Sequence, residues 1–503
     1  MNYSTYLCFV MATVGRTDSL EAAPPETTVE DAIGPALQQY LLLLEEKLTT
    51  PQAMFDLEVR LKAASQELDR VALQWKANHI EPKVSELPSH VEFEGELHTR
   101  FSHKTPQDVS TTFGKIRVYR AGYRPTDKSG GPMIFPLMQQ LGIVAGATPA
   151  LAERAAYYQG EAGATQRRTL LRLKQEHNVD WGVKKLRELI ERISVAMAEE
   201  RHDVQVEKLL QWLEQAWSSK GKHKPVLSVG RDGISFGVPV KRGTIFEVAS
   251  AGTISVMDRR GKRLGTVYLA FTPESKQVTM SQQLTRLVEA VLQRWEKPLP
   301  HLCYVTDAGD NETEYYNKVL RLMRHPRTGE RLKWVRVLDY YHASERIWKM
   351  AEALFGKDPA AKSWARRMLK LLKKPNGIRR VLNSAAVLRN RHPMKGKRKD
   401  EFRKAYNYLQ KRTKYMRYAA YKRVGIPCGS GVTEAACKTI YTQRLKLSGM
   451  RWKRIGAQTI LNLRVMLLSG VWTEAYQRLL KKFKTAKVPT YAIPSPQKLK
   501  IAA

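Results

Sequence analysis

Residues 301–345 read His301-Leu-Cys-Tyr-Val-Thr-Asp307-Ala-Gly-Asp310-Asn, pass through an amphipathic run, and end Trp334-Val-Arg-Val-Leu-Asp339-Tyr-Tyr-His342-Ala-Ser-Glu345. An apolar run at 302–305 stops at an acid. The periodicity then predicts a helix of about three turns from Glu312 to Met323. A second apolar run, 334–338, stops at another acid. Short apolar runs that alternate with helical periods mark a buried parallel sheet. Acids at the carboxyl ends of such strands lie where open α/β sheets bind ligands. Asp is also a favoured helix N-cap, so Asp307 or Asp339 taken singly has a purely structural explanation.

Working outward, the residues just upstream also read as strands. Val226 to Gly233 forms a first strand that ends in Asp232-Gly233, Thr244 to Met257 a second and Arg263 to Phe271 a third. Asp258-Arg-Arg-Gly261 supplies a hairpin turn. Met280 to Trp295 places Leu284, Leu287, Val288, Val291 and Leu292 on one helical face. The resulting order, β-β-β-α-β-α-β, is the layout of an α/β ribonuclease H-like core with a mixed five-stranded sheet. Strands one and four are neighbours in that layout, so Asp232 and Asp307 are expected to meet.

The flanks differ from this core. Residues 1–28 are expected to be a disordered start, and 29–217 a mainly α-helical region that binds DNA ends. Within that region 29–78 is helical, 79–107 loop-like, and 109–124 a strand or hairpin of alternating apolar and basic residues. Three helical segments span 148–202, the middle one carrying Arg167, Arg168 and Arg172. Such a set is compatible with a helix-turn-helix. The polar stretch 218–225 is the expected boundary, and 225–351 the first part of the core. A basic helical insertion, 352–425, follows with Arg366, Arg367, Lys373, Lys374, Lys397 and Arg398, and with tyrosines interleaved at 406, 408, 415, 418 and 421. One-sided charge over so long a stretch argues for phosphate contacts. Residues 426–480 are expected to hold the last core helices, with Glu434 and the basic Arg444, Arg451 and Lys453, ahead of a basic tail at 481–503.

The 503-residue chain carries 85 Lys and Arg against 48 Asp and Glu, a net charge of +37. A field of that sign implies a polyanionic partner, nucleic acid first. No run of roughly twenty apolar residues exists that would span a membrane. Four scattered cysteines, with no Cys-x-x-Cys pair, suit a reducing cytosol and give no support to a zinc finger. A cytoplasmic, nucleoid-associated protein is the expectation.

If Asp232, Asp307 and Glu434 gather, three carboxylates repel one another and call for a cation. Oxygen ligands select Mg²⁺ or Mn²⁺. Two ions roughly 4 Å apart serve in-line phosphoryl displacement.

These residues resemble a family, the bacterial insertion-sequence DDE transposases of the ISKra type and their Mutator-like relatives. Asp232-Gly233, Asp307-Ala308-Gly309 and Glu434 match the three acids, Asp339-Tyr-Tyr-His342 matches an Asp-x-x-His element, and Ser448 to Trp452 matches a Ser-Gly-Met-Arg-Trp element. The resemblance covers about 111–472. It implies hydrolysis at element ends and strand transfer of the freed 3′-hydroxyl, with Asp339 and His342 in support. Terminal-repeat and target DNA, and a homodimer or higher assembly, are the implied partners. The second motif departs from the pattern and leaves Asp310 as a rival to Asp307. A catalytically decayed DNA-binding repressor, or a nuclease without strand transfer, remain alternatives.

Overall fold

The computed structural model describes residues 27–93, 95–127 and 131–485. Most of 1–28, including Cys8 and Pro24-Pro25, and 486–503 of the basic tail lie outside the described residues. The chain divides into two compact units, 1–200 with 474–503, and 201–473. The first division falls inside a 36-residue helix, Val183–Ser218, which runs on past 202, the expected end of the third helical segment. The polar stretch 218–225 lies within the second unit, not at its edge.

The first unit is less helical than expected. Helices Val29–Leu44 and Pro51–His79 form a hairpin, but the expected loop at 79–107 holds strands. Strand β1 (His90–Phe93), β2 (Glu96–Arg100) and β5 (Tyr123–Pro125) form one small sheet, and β3 (Thr105–Thr111) with β4 (Gly114–Arg120) a two-stranded one. Strands β1 and β2 are short and mostly half-exposed, so they lack the apolar runs that identify buried strands, while β3 and β4 form a hairpin where alternation at 109–124 led one to expect a strand or hairpin. The expected positive face of 109–124 is partly neutralised, because Asp108 pairs with both Lys115 and Arg117. Helices Pro149–Gly160 and Gln166–His177 follow.

The second unit is built on one mixed five-stranded sheet of order β10-β9-β6-β7-β8. Strand β6 (Val226–Pro239), β7 (Thr244–Met257) and β8 (Arg263–Phe271) are antiparallel. Strands β9 (His301–Thr306) and β10 (Trp334–Leu338) run parallel to β6. The first half of β6 is buried on both faces, as parallel strands require. Alternate residues feed two cores. Leu227, Val229, Leu302 and Tyr304 pack with helix Val278–Arg294 on one side. Val226, Cys303, Val305 and Val337 pack with helix Tyr340–Phe355 and the insertion on the other.

Two local readings change. Strand β6 does not end at Asp232. Its parallel pairing with β9 stops at Gly230↔Val305, but pairing with β7 continues to Pro239↔Thr244 as a two-stranded ribbon. The segment after β9 is a short α-helix, Asp310–Tyr315, that widens into a π-helix at Tyr316–Leu320, not three regular turns. The insertion is helical throughout, with Pro359–Leu372, Gly377–Arg391, Gly396–Lys411 and Tyr418–Arg423. Among the described residues no single helix is long and apolar enough to cross a membrane.

Candidate functional site

The sheet edge where the parallel pairing of β6 and β9 ends collects acids from several elements. Asp232 lies two residues past the last β6–β9 pair. Its Oδ1 accepts from the Gly233 N–H at 2.7 Å, and the Cys437 thiol donates to Oδ2 at 3.5 Å. Burial raises its carboxyl above the usual range, the Gly233 bond partly offsets this, and the negative charges of Asp307 and Glu434 raise it further. That double dependence ties residues 75 and 202 positions distant in the chain to Asp232.

Asp307 follows β9 directly. Its Oδ1 accepts from the Gly309 N–H at 3.0 Å. Between them Ala308 sits at φ 60°, a left-handed conformation that strains a residue with a Cβ. The insertion holds this turn in place. The Tyr408 hydroxyl donates to the Asp307 carbonyl, and Arg412 donates to the Ala308 carbonyl at 3.0 Å while lying 4.1 Å over the Tyr408 ring. The rival Asp310 is exposed at the start of its helix.

A fourth acid escaped the sequence reading. Glu312 is 7 % exposed. Burial raises its carboxyl, its own backbone N–H lowers it, and Asp307 raises it again. Arg231, fully buried beside Asp232, stands 3.9 Å from it and is held by Gln277 and Ser281. The signal was an acid two residues after Asp310, which looked like the polar side of an amphipathic helix.

Glu434 reaches the edge because helix Gly431–Cys437 lies directly on β6. A Cβ on Gly230 would come within 2.1 Å of Thr433 Oγ1, so only glycine admits the helix at this distance. Thr433 is fixed to Thr253 at 2.7 Å, and Tyr441 donates to the Ser250 and Phe271 carbonyls. The exposed Glu434 carboxylate turns toward helix Tyr340–Phe355. It accepts from Ser430 Oγ at 3.1 Å and stands 3.4 Å from His342 Nε2.

Asp339 is wholly buried and caps that helix. Its Oδ1 accepts from the Tyr341 and His342 N–H groups at 2.6 and 3.0 Å, and its Oδ2 accepts from the Ser430 N–H. It thus clamps the Ser430 loop, and through it the approach of Glu434. Among the described residues, Asp339, His342 and Glu434 form the one group whose ligand atoms all lie within 4.8 Å of one another. Asp232, Asp307 and Glu434 were expected to gather and do not form such a group; the charges of Asp307 and Glu434 nevertheless both bear on Asp232.

Asp232 is a half-buried carboxylate under the charge of two other acids, a stress that a cation would relieve.

The basic residues separate into two groups. Arg167, Arg168, Arg366, Arg367, Lys373, Lys374, Lys397, Arg451 and Lys453 are exposed. Arg366 and Arg367 line a shallow depression with Lys357, Lys362 and Lys370. Three others do not present a free cation to a phosphate. Arg172 is paired with Glu161 and Glu176 and stacked on Tyr158. Arg444 is fully buried, and loss of water lowers its guanidinium to about 10. Arg398 donates to the Ala353 and Leu354 carbonyls at the end of helix Tyr340–Phe355. The interleaved tyrosines also pack inward in part. Tyr418 and Tyr421 are buried and donate to the Leu338 and Arg336 carbonyls, so they brace β10 and are not open to stack on bases.

No protein-family model matches this chain, and no curated protein matches it either.

Proposed function

We propose that the protein is a metal-dependent DNA transposase with a ribonuclease H-like core. On this reading it hydrolyses a phosphodiester at each end of its mobile element and directs the freed 3′-hydroxyl onto target DNA. One observation supports the reading: the charges of Asp307 and Glu434, both distant in sequence, bear on Asp232 where the parallel pairing of a five-stranded mixed sheet ends. Bound Mg²⁺ or Mn²⁺, two ions in the full site, would supply Lewis-acid stabilisation to the attacking and leaving oxygens.

The chain's own residues would do the rest. Asp232 and Asp307 would offer hard oxygens from the ends of the parallel pairing, and Glu434 from its own helix. Glu312 is a further buried carboxyl close enough for the charges of Asp307 and Asp232 to bear on it. Asp339 and Ser430 fix the height of the Glu434 helix, and Tyr408 with Arg412 fixes the Asp307 turn. His342, 3.4 Å from Glu434, is placed to orient that carboxylate. The exposed cations of 357–374 would hold the DNA backbone, with binding that weakens as salt rises. DNA is then the partner, a nucleoid-associated location follows, and joining two ends requires at least a homodimer.

The test is incubation with DNA carrying the element's ends, first in Ca²⁺ and then in Mg²⁺. Binding in Ca²⁺ with nicking and joined products in Mg²⁺ is expected. Binding without nicking under any divalent ion would replace the enzyme with a DNA-binding repressor. Nicking without joined products would make it a nuclease.

A further inference from the structure

The ribbon in which β6 and β7 run on past the five-stranded sheet is covered on one face and open on the other. From Ile234↔Ala249 to Pro239↔Thr244 the two strands pair only with each other. On the covered face Phe236 and Val238 are buried, and the Phe236 ring lies 6.3 Å from that of Tyr441. Glu247, on the same face, is paired with Arg454, and Lys446 donates to the Ser235 carbonyl at 3.0 Å. The ribbon is therefore braced in place. On the open face Phe246 is 75 % exposed and Val248 half-exposed, and β6 sets only Gly233, Ser235 and Gly237 against them. A Cβ on Gly237 would lie 3.4 Å from the Phe246 ring, and one on Gly233 would lie 2.5 Å from Val248. The two apolar side chains thus lie across glycines, with nothing above them.

The surroundings are basic. The turn at the tip is Val240-Lys241-Arg242-Gly243, and both its cations are exposed. The segment that braces the ribbon, 438–454, holds six Lys and Arg and no acid, and Lys446, Arg451 and Lys453 are exposed. Glu247, the one acid of the ribbon beyond Asp232, is the partner of Arg454. A second copy of the chain would bring the same cations against these, and like charges repel. A DNA strand suits both features. Its phosphates meet the cations, and its unpaired bases stack on an aromatic face whatever their sequence. The position suits it as well. Phe246 is five residues along β7 from Ala251, the partner of Asp232, roughly 17 Å of strand.

We propose that the open face of this ribbon is a contact for unpaired DNA, with Phe246 the platform on which a base stacks and Lys241 and Arg242 the phosphate contacts beside it. The proposal rests on the reading that DNA is the partner, and is independent of whether the chain cleaves it. The experiment is photo-crosslinking of the full chain, without divalent metal, to a thymine-rich single strand of about 16 nucleotides carrying one 5-iodouracil. The crosslinked peptide is expected to contain Phe246. Phe246→Ala and Phe246→Leu are expected to lower the yield at least about five-fold, while Phe246→Trp, which keeps a π-face, retains it. Leu322→Ala, at an exposed leucine elsewhere in the second unit, is expected to change nothing. Lys241→Gln/Arg242→Gln is expected to flatten the slope of log affinity against log salt by about 1.4, two cations at about 0.7 each. Phe246 supports no core, so circular dichroism should be unchanged; were alanine to loosen the ribbon, the contrast of leucine with tryptophan keeps the test. A chain that binds the strand but crosslinks only elsewhere overturns the proposal and leaves DNA as the partner. So does Phe246→Leu at the unaltered yield, or Phe246→Ala that keeps the crosslink and changes only the oligomeric mass. Failure to bind the single strand overturns it too, and failure to bind duplex DNA as well overturns the earlier reading with it.

Discussion

Asp232 and Asp339 are both acids beside the carboxyl end of the parallel part of one sheet, yet their surroundings are opposite. Asp339 is wholly buried and accepts three backbone N–H bonds, from Tyr341, His342 and Ser430. Asp232 accepts one backbone N–H and one thiol, and two further acids bear on it. Backbone donors satisfy the first carboxylate, so its work is to hold two segments together. The second keeps unsatisfied charge at the surface of the sheet, which is what a cation or a reacting group requires. A strand-end position therefore does not assign a role; the number of donors spent on the carboxylate does.

The largest effect that would break this contrast is on activity. Asp232→Asn, Asp307→Asn and Glu434→Gln are each expected to lower Mg²⁺-dependent cleavage of element-end DNA by about 10³-fold or more, while DNA affinity in Ca²⁺ stays within about two-fold. Retained cleavage in Asp307→Asn with loss in Asp310→Asn would move the second acid to the exposed position.

Next is stability at the other acid. Asp339→Ala leaves three N–H groups without their acceptor, and each buried orphan costs about 1–3 kcal/mol. A loss of about 3 kcal/mol or more is expected in chemical denaturation. Asp339→Asn, which keeps one acceptor oxygen, should recover part of it. If Asp339→Ala instead unfolds like the unaltered protein, the clamp is not structural.

A smaller effect is expected at the Asp307 turn. Tyr408→Phe removes a hydrogen bond worth about 1 kcal/mol. Cleavage should fall by about five- to ten-fold with DNA affinity unchanged, and unchanged cleavage would show that the strained Ala308 turn holds itself.

The smallest is a pH dependence. Burial, and then neighbouring acids, raise the Asp232 carboxyl in the folded chain above its unfolded value. The folded state therefore binds the proton more tightly. Stability from this group is complete below the unfolded value and is lost as pH rises through the folded one. With a chelator present, Asp232→Asn should be more stable than the unaltered protein above that range and should gain nothing below it. Added Mg²⁺ should raise the melting temperature of the unaltered protein more than that of the variant.

Much of the core was legible because buried parallel strands leave short apolar runs. Val226–Gly230, 302–305 and 334–338 appear in the sheet in the expected order, and the charges of Asp307 and Glu434 both bear on Asp232 although the three acids do not form one ligand-spaced group. The β3–β4 hairpin was legible in part, as the strand or hairpin of alternating residues at 109–124, whereas β1 and β2 were not, since half-exposed strands of four and five residues carry no apolar run. Burial of individual cations was equally hidden. Arg444 is an ordinary member of a basic cluster in the sequence, and only packing removes it from water.

The sequence by itself determined the alternation of strands and helices, the basic charge and the acids available for chemistry, because hydrophobic period and composition are local properties. Tertiary structure alone decided which acids keep free charge and which are spent on backbone donors. It also recruited Glu312, fixed the Asp307 turn through Tyr408, and let Thr433 rest on Gly230. Each of those outcomes is a distance between residues remote in the chain, and no local pattern encodes a distance.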